Sequence, residues 1–242
     1  MISNLPRTFY NFGIIEKEQL DLLKPLHESI MSEISANRSV EAKDKWSTLI
    51  IALLSISHQK HAYNFLKDDL QIGNYAKYFL IRPDVKKAIH VGDIHFNLIN
   101  VTVNTQLAPD FLSSTQHLYE NLLENYRILL YCGQLDQMLP CVTASESHRR
   151  WRWSRQEEFS RAMRFPFTYD EKLAGYYKTG GGFTEAVVRG AGHMAPLDVP
   201  GPTQALVTRW THRLYMKPIL QAFFRFTFSK TNTNNTTSIV YL

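Results

Sequence analysis

The sequence is poor in cysteine, with Cys132 and Cys141 as its only two, and no apolar run approaches the roughly 18 to 20 residues that cross a bilayer. Two cysteines cannot build a disulfide scaffold; one bridge and two free thiols are equally allowed, so cysteine count leaves the redox compartment open. The most apolar stretch, residues 49–54 (LIIALL), is bounded by Thr48 and Ser55, and no membrane span is expected. The opening residues, MISNLPRTFYNFG, hold neither an apolar h-region nor a small-residue cleavage site, so no signal peptide is read in them. His58 with His61, and His90 with His95, lack a third ligand at diagnostic spacing. No metal site and no cofactor is expected.

What is present is a globular composition, 44% hydrophobic and 20% charged over 242 residues, sufficient for one large domain or two small ones. The net charge of +5 eases contact with an acidic partner. Arg149, Arg150, Arg152 and Arg155 interleave with Trp151 and Trp153, a mixture of cations and stacking platforms that could grip a polyanion or single-stranded nucleic acid. No nucleic-acid module surrounds this cluster, so the preferred reading is an exposed arginine-rich helix end with one Trp anchored in the core, and no nucleic-acid partner is expected.

Apolar residues Leu20, Leu23, Leu26, Ile30 and Ile34 fall at helical spacing over 16–36, where Pro25 should kink or split the segment. A second helix is read over 41–57 from Trp46, Leu49, Ile50 and Leu53. Arg82-Pro83-Asp84 suits the start of a short helix, and Asp110 can cap a following one that carries Phe111, Leu118, Leu122 and Tyr126. Residues 127–132 (RILLYC) form a compact strand ended by Gly133, and a polar, basic helical region follows. Segments 173–178 and 183–189 flank Gly180, Gly181 and Gly182, a hairpin signal, and residues 200–216 read as a helix. Residues 218–242, with TNTNNTTS between two apolar pieces, are read as a disordered tail.

Two strand ends are unusual. RILLYC runs into Gly133-Gln134-Leu135-Asp136, and AVVR runs into Gly190-Ala191-Gly192-His193-Met194. Glycines allow a sharp turn just past each strand, delivering one ionisable side chain to a sheet edge, where open α/β sheets build their sites. An Asp followed by a His, each after a strand, is the end of the order Ser, Asp, His used by α/β-hydrolases. On spacing alone, a turn aspartate and a satisfied loop histidine explain the pair as well.

Several segments together resemble the serine carboxypeptidases, most closely their vitellogenic-like branch. They are YNFGII at 10–15, YNFL at 63–66, AIHVG at 88–92, YCGQLD at 131–136, AGY at 174–176 and above all VRGAGHMAPLDVP at 188–200. The resemblance covers most of residues 10–216. It implies the C-terminal part of an α/β-hydrolase fold with an incomplete parallel sheet: a helical cap segment at 1–75, the C-terminal half of the hydrolase core at 76–217 and the tail. It also implies removal of C-terminal residues from peptide or protein substrates by Ser-His-Asp acyl transfer, in a secreted or lysosomal setting. The family's orienting aspartate falls on Asp136 and its general base and acid on His193. Met194 would face the departing residue, and Asp198 and Pro200 would shape the turn that follows.

The departures from the family are as informative. No G-x-S-x-G occurs in the chain, so Asp136 and His193 have no nucleophilic serine within it, and Ser145 and Ser147 lie on no strand-to-helix elbow. The resemblance implies a start just past the sixth core strand, without the oxyanion and carboxylate-binding segments. RILLYC would then lack its inner neighbour, giving a marginal fold with an exposed apolar edge and no activity alone. The family's YNG reads Tyr131-Cys132-Gly133, with Cys132 taken as a small buried hydrophobe, and LHES at 26–29 stands where relatives are cysteine-rich. Asn37 and Asn100 head N-x-[ST] glycosylation motifs, as do Asn234 and Asn235. Two alternatives stand beside the enzyme reading: a catalytically inactive truncated homologue that acts as a binding or decoy module or is non-functional, and a polyanion or nucleic-acid binder through residues 149–155. Oligomeric state is not legible.

Overall fold

The computed structural model describes residues 4–69 and 74–214. The chain opens with three helices, α1 (Leu5–Asn11), α2 (Lys17–Ser35) and α3 (Ser39–Ser57). Asn4 caps α1 by accepting the Arg7 amide at 3.0 Å, and the Glu16 amide reaches Gln19 Oε1 at 2.7 Å to start α2. Contrary to the sequence expectation, α2 runs unbroken through Pro25. Proline denies a hydrogen bond to the carbonyl four residues earlier, and that residue, Asp21, lies on the exposed face where water can replace the lost donor. Leu20, Leu23 and Ile30 of α2 pack on Leu49 and Leu53 of α3, with Leu5 and Phe9 of α1 filling the end of the pair. The left-handed residue His58 then ends α3.

Among the described residues, five short helices follow: α4 (Asn74–Leu80), α5 (Pro83–Ala88), α6 (Val101–Gln106), α7 (Ala108–Phe111) and α8 (Gln116–Leu123). Asp110 does not cap α8; it lies inside α7 and accepts from the Ser113 hydroxyl at 2.9 Å, so the expected single helix is two. Many apolar side chains of this region face solvent, among them Tyr75, Ile99 and Val101.

Among the described residues the sheet has four strands, β1 (Ile128–Gly133), β2 (Arg164–Tyr169), β3 (Lys172–Gly180) and β4 (Phe183–Val188), in the order β1-β4-β3-β2. β1 and β4 are parallel, and the other two pairings are antiparallel. Helices α9 (Cys141–His148) and α10 (Gln156–Arg161) lie between β1 and β2, while α11 (Ala195–Asp198) and α12 (Pro200–Thr211) follow β4. All six β4 residues are buried because both sheet faces are covered. Ala186 and Val188 pack with Leu206 of α12, and Phe183 packs with Trp151, Trp153 and Phe159. β1, by contrast, pairs only with β4 among the described residues, and Tyr131 on it is 38% exposed.

β2 is a strand where the sequence suggested helix. Pro166 obscures it, yet β2 is an edge strand, where a residue without an N–H costs no ladder bond on the outer side. Its hairpin with β3 turns on Asp170 and Glu171, both at positive φ, with no glycine to signal the turn. Residues 149–155 also differ from expectation, which anchored only one of their tryptophans in the core. Both tryptophans are buried, Trp151 at 4% and Trp153 at 7% exposure, and Trp153 Nε1 donates to Gly181 O at 2.8 Å. Neither ring offers a stacking face to a nucleic acid. Cys132 is not a free buried thiol either: it is bonded to Cys141. The expected tail, 218–242, lies outside the described residues.

Candidate active site

β1 and β4 end side by side, with Gly133 opposite Val188. Past that point the ladder continues into the two loops: the Gln134 amide donates to Val188 O at 2.9 Å and the Leu135 amide to Ala191 O at 2.7 Å. The loops meet backbone to backbone because Gly133 has no side chain; a Cβ there would fall 2.0 Å from Gly192 O. Gly190, at φ +76°, supplies the left-handed turn that lets the second loop fold back.

This approach brings together the two residues the sequence singled out. His193 Nδ1 lies 2.9 Å from Asp136 Oδ2. The Asp136 carboxylate is 4% exposed, and its other oxygen accepts the amides of Met138 and Leu139 at 2.8 and 3.0 Å. A carboxylate only accepts, so His193 presents Nδ1–H to it and leaves the lone pair on Nε2. The hydrogen bond that the imidazole donates to Asp136 raises its pKa above 6.5, against the opposing effect of burial. The His193 side chain remains 32% exposed.

A third segment, residues 59–67, holds the histidine from the other side. The His193 amide donates to Tyr63 O at 2.6 Å, and the Tyr63 ring meets the imidazole edge-on at a centroid distance of 5.1 Å. Asp198, in α11, fastens the two segments together. Its carboxylate accepts the Gly192 amide at 2.7 Å and Asn64 Nδ2 at 2.9 Å, and it pairs with Lys67. Burial pushes the Asp198 carboxyl up, but those donors outweigh it and hold the group below its ordinary 3.8. Local patterning pointed to only a turn-shaping role for Asp198, and to none for Asn64 and Lys67. Their partners are more than 130 positions away, beyond the reach of local patterning.

The other candidates lie elsewhere. Met194 is half-buried at the N-cap of α11, beside His193 in the chain. Asn37 is exposed at φ +57° just past α2, and Asn100 is exposed at the N-cap of α6, where its Oδ1 accepts the Val103 amide. Ser145 hydrogen-bonds Glu185, which also binds His148 Nδ1 at 3.0 Å and Arg164, in a buried network of its own. Burial pushes the Glu185 carboxyl up, yet these partners hold it below 4.5. No cluster of three metal-ligating side chains occurs among the described residues.

Comparison with known proteins gives this geometry its context. The family model described as serine carboxypeptidase matches residues 11–213. The chain belongs to the serine carboxypeptidase family. It is 32% identical over 215 residues to venom serine carboxypeptidase of Apis mellifera, covering 84% of this chain and 46% of that protein. Against vitellogenic carboxypeptidase of Aedes aegypti it is 33% identical over 158 residues, covering 64% and 34%. Against the probable serine carboxypeptidase CPVL of Homo sapiens it is 27% identical over 225 residues, covering 88% and 47%. The chain thus spans about half the length, or less, of these relatives. A solved structure of a prohormone-processing carboxypeptidase from Saccharomyces cerevisiae superposes with a TM-score of 0.69 at 19% identity, covering 88% of this chain and 53% of that one. The fold is accordingly α/β, the C-terminal part of an α/β-hydrolase with an incomplete sheet.

Proposed function

We propose that Asp136 and His193 are the orienting acid and the general base of a serine carboxypeptidase whose nucleophile comes from a segment these 242 residues do not contain. The observation that carries the reading is the 2.9 Å hydrogen bond between Asp136 and His193 at the ends of two adjacent parallel strands. In this account His193 Nε2 takes the proton of a serine hydroxyl as it attacks the last peptide carbonyl, then returns it to the amine of the released C-terminal residue. Asp136 stays ionised and stabilises the imidazolium formed between those steps. Water repeats the cycle on the acyl-enzyme, with His193 again as base. Met194, next to the base, faces the departing residue. The same reading divides the chain into a cap segment at 1–75 and the C-terminal half of the core at 76–217.

The setting we propose is secreted or lysosomal, with Asn37 and Asn100 glycosylated. The Cys132–Cys141 bond supports an oxidising compartment, and both asparagines are exposed. Protein from its source should lose mass on treatment with peptide N-glycosidase, and glycopeptides should map to these two positions; unmodified peptides there refute the assignment.

A second reading, a non-catalytic homologue acting as a binding or decoy module, is favoured by one observation: no G-x-S-x-G occurs in the chain. Binding of polyanions through residues 149–155 is disfavoured because its stacking rings are buried. The deciding experiment captures the native protein with an antibody to residues 160–200, then measures its intact mass and its labelling by a fluorophosphonate. A labelled species far above 28.1 kDa that contains a G-x-S-x-G peptide supports the enzyme; an unlabelled 28.1 kDa species supports the decoy.

A further inference from the structure

Cys132 and Cys141 take no part in the acid-base pair, yet their bond encloses half of it. Their sulfurs are joined with the Cα atoms 5.8 Å apart, nine positions apart in sequence. Cys132 is fixed in β1 opposite Val187 of β4, and Cys141 opens α9. Residues 133–140 between them contain Asp136, the Met138 and Leu139 amides that hold its Oδ1, and the Gly133 carbonyl that accepts the Asp136 amide at 3.2 Å. The carboxylate and its local hydrogen bonds therefore sit inside one covalent ring.

The ring closes at the edge of the described sheet. β1 has a sheet neighbour on one side only among the described residues. Outside the ring, the loop is tied by the Gln134 amide to Val188 O at 2.9 Å, the Leu135 amide to Ala191 O at 2.7 Å, the Gln137 amide to Ala62 O at 3.2 Å, Gln137 Nε2 to Gln59 Oε1 at 3.1 Å and the Phe65 amide to Leu135 O at 3.4 Å, none of which holds the Asp136 carboxylate itself.

We propose that the Cys132–Cys141 disulfide is a positioning device for the Asp136 carboxylate, so that reducing it releases His193 from its partner and disables the pair. The proposal rests on the assignment of Asp136 and His193 given above. Both cysteines are half-buried, which leaves them within reach of a small dithiol. One thiolate of the dithiol attacks one sulfur to form a mixed disulfide, and its second thiol displaces the protein sulfur. The dithiol closes to its own disulfide, and Cys132 and Cys141 each end as a thiol.

The test follows the His193 imidazole by NMR across pH in the full 242-residue chain, oxidised and after dithiothreitol, with amide hydrogen exchange read in parallel. Reduction should move the His193 midpoint down toward 6.5 and speed exchange at Met138 and Leu139 by about tenfold or more, while Ala186 and Val187 of β4 stay protected. Reoxidation should restore both readings. The Cys132→Ala/Cys141→Ala double variant should match the reduced chain and ignore dithiothreitol. A midpoint unchanged by reduction overturns the proposal, and so does uniform loss of protection, which marks a general staple instead. Oxidised Asp136→Asn serves as the separate arm: a midpoint no lower than wild type shows that the pair assignment, rather than the disulfide's role, has failed.

Discussion

Replacing Gly133 with alanine tests the contact on which the site depends. The added Cβ would stand 2.0 Å from Gly192 O and 2.5 Å from Ala191 O, both backbone atoms that cannot rotate away. Carbon contacts relax at about 3.5 Å, so the two loops must part by more than about 1 Å. That separation breaks the Gln134–Val188 and Leu135–Ala191 hydrogen bonds, each worth about 0.5 to 1.5 kcal/mol, and residual crowding adds about 1 to 3. Gly133→Ala should therefore cost about 2 to 6 kcal/mol, read as a lower urea midpoint by the fluorescence of buried Trp151 and Trp153. It should also stretch the His193–Asp136 bond beyond hydrogen-bond range and lower the imidazole's pKa. Gly92→Ala is the control. It sits at φ +61° in open space, so it should cost about 1 to 2 kcal/mol of backbone strain and leave the pair intact. If Gly133→Ala unfolds with Gly92→Ala and His193 titrates as before, the close approach does not hold the site.

Asp198→Asn should destabilise the chain at neutral pH. Because the folded carboxyl lies below 3.8, its contribution is present above that value and is lost as pH falls through the lower folded one; urea midpoints of variant and wild type should converge only on the acid side of 3.8. Trp153→Phe removes the donor to Gly181 O at the β3–β4 turn and should cost about 1 to 3 kcal/mol in the same assay, without changing retention on heparin. Weaker heparin binding in that variant would return the 149–155 segment to consideration as a polyanion site.

The parts of this molecule legible in its sequence are those set by local pattern. The helical faces of Leu20, Leu23 and Ile30, and of Leu49 and Leu53, are buried against one another as their spacing implied. The two glycine-rich strand ends marked where Asp136 and His193 would emerge, and the parallel pairing of β1 and β4 brings those ends together. What escaped local reading depends on distant partners or on turns without their usual residues. Asp170 and Glu171 carry a tight turn with no glycine, and Pro166 hides an edge strand. Asp198 becomes a clamp only once residues 59–67 lie against it. Residues 149–155 read as an exposed arginine-rich helix end with one Trp in the core, whereas β4 provides Phe183 for both Trp151 and Trp153 to pack on.

The most direct measurement is the NMR titration of His193 in the oxidised chain, compared with Asp136→Asn. A wild-type midpoint above 6.5 that falls in the variant is the result this account predicts, because the ionised Asp136 hydrogen bond is what raises it. A midpoint at or below 6.5 that ignores the substitution would mean that Asp136 does not hold His193, and the proposed acid-base pair would fall with it.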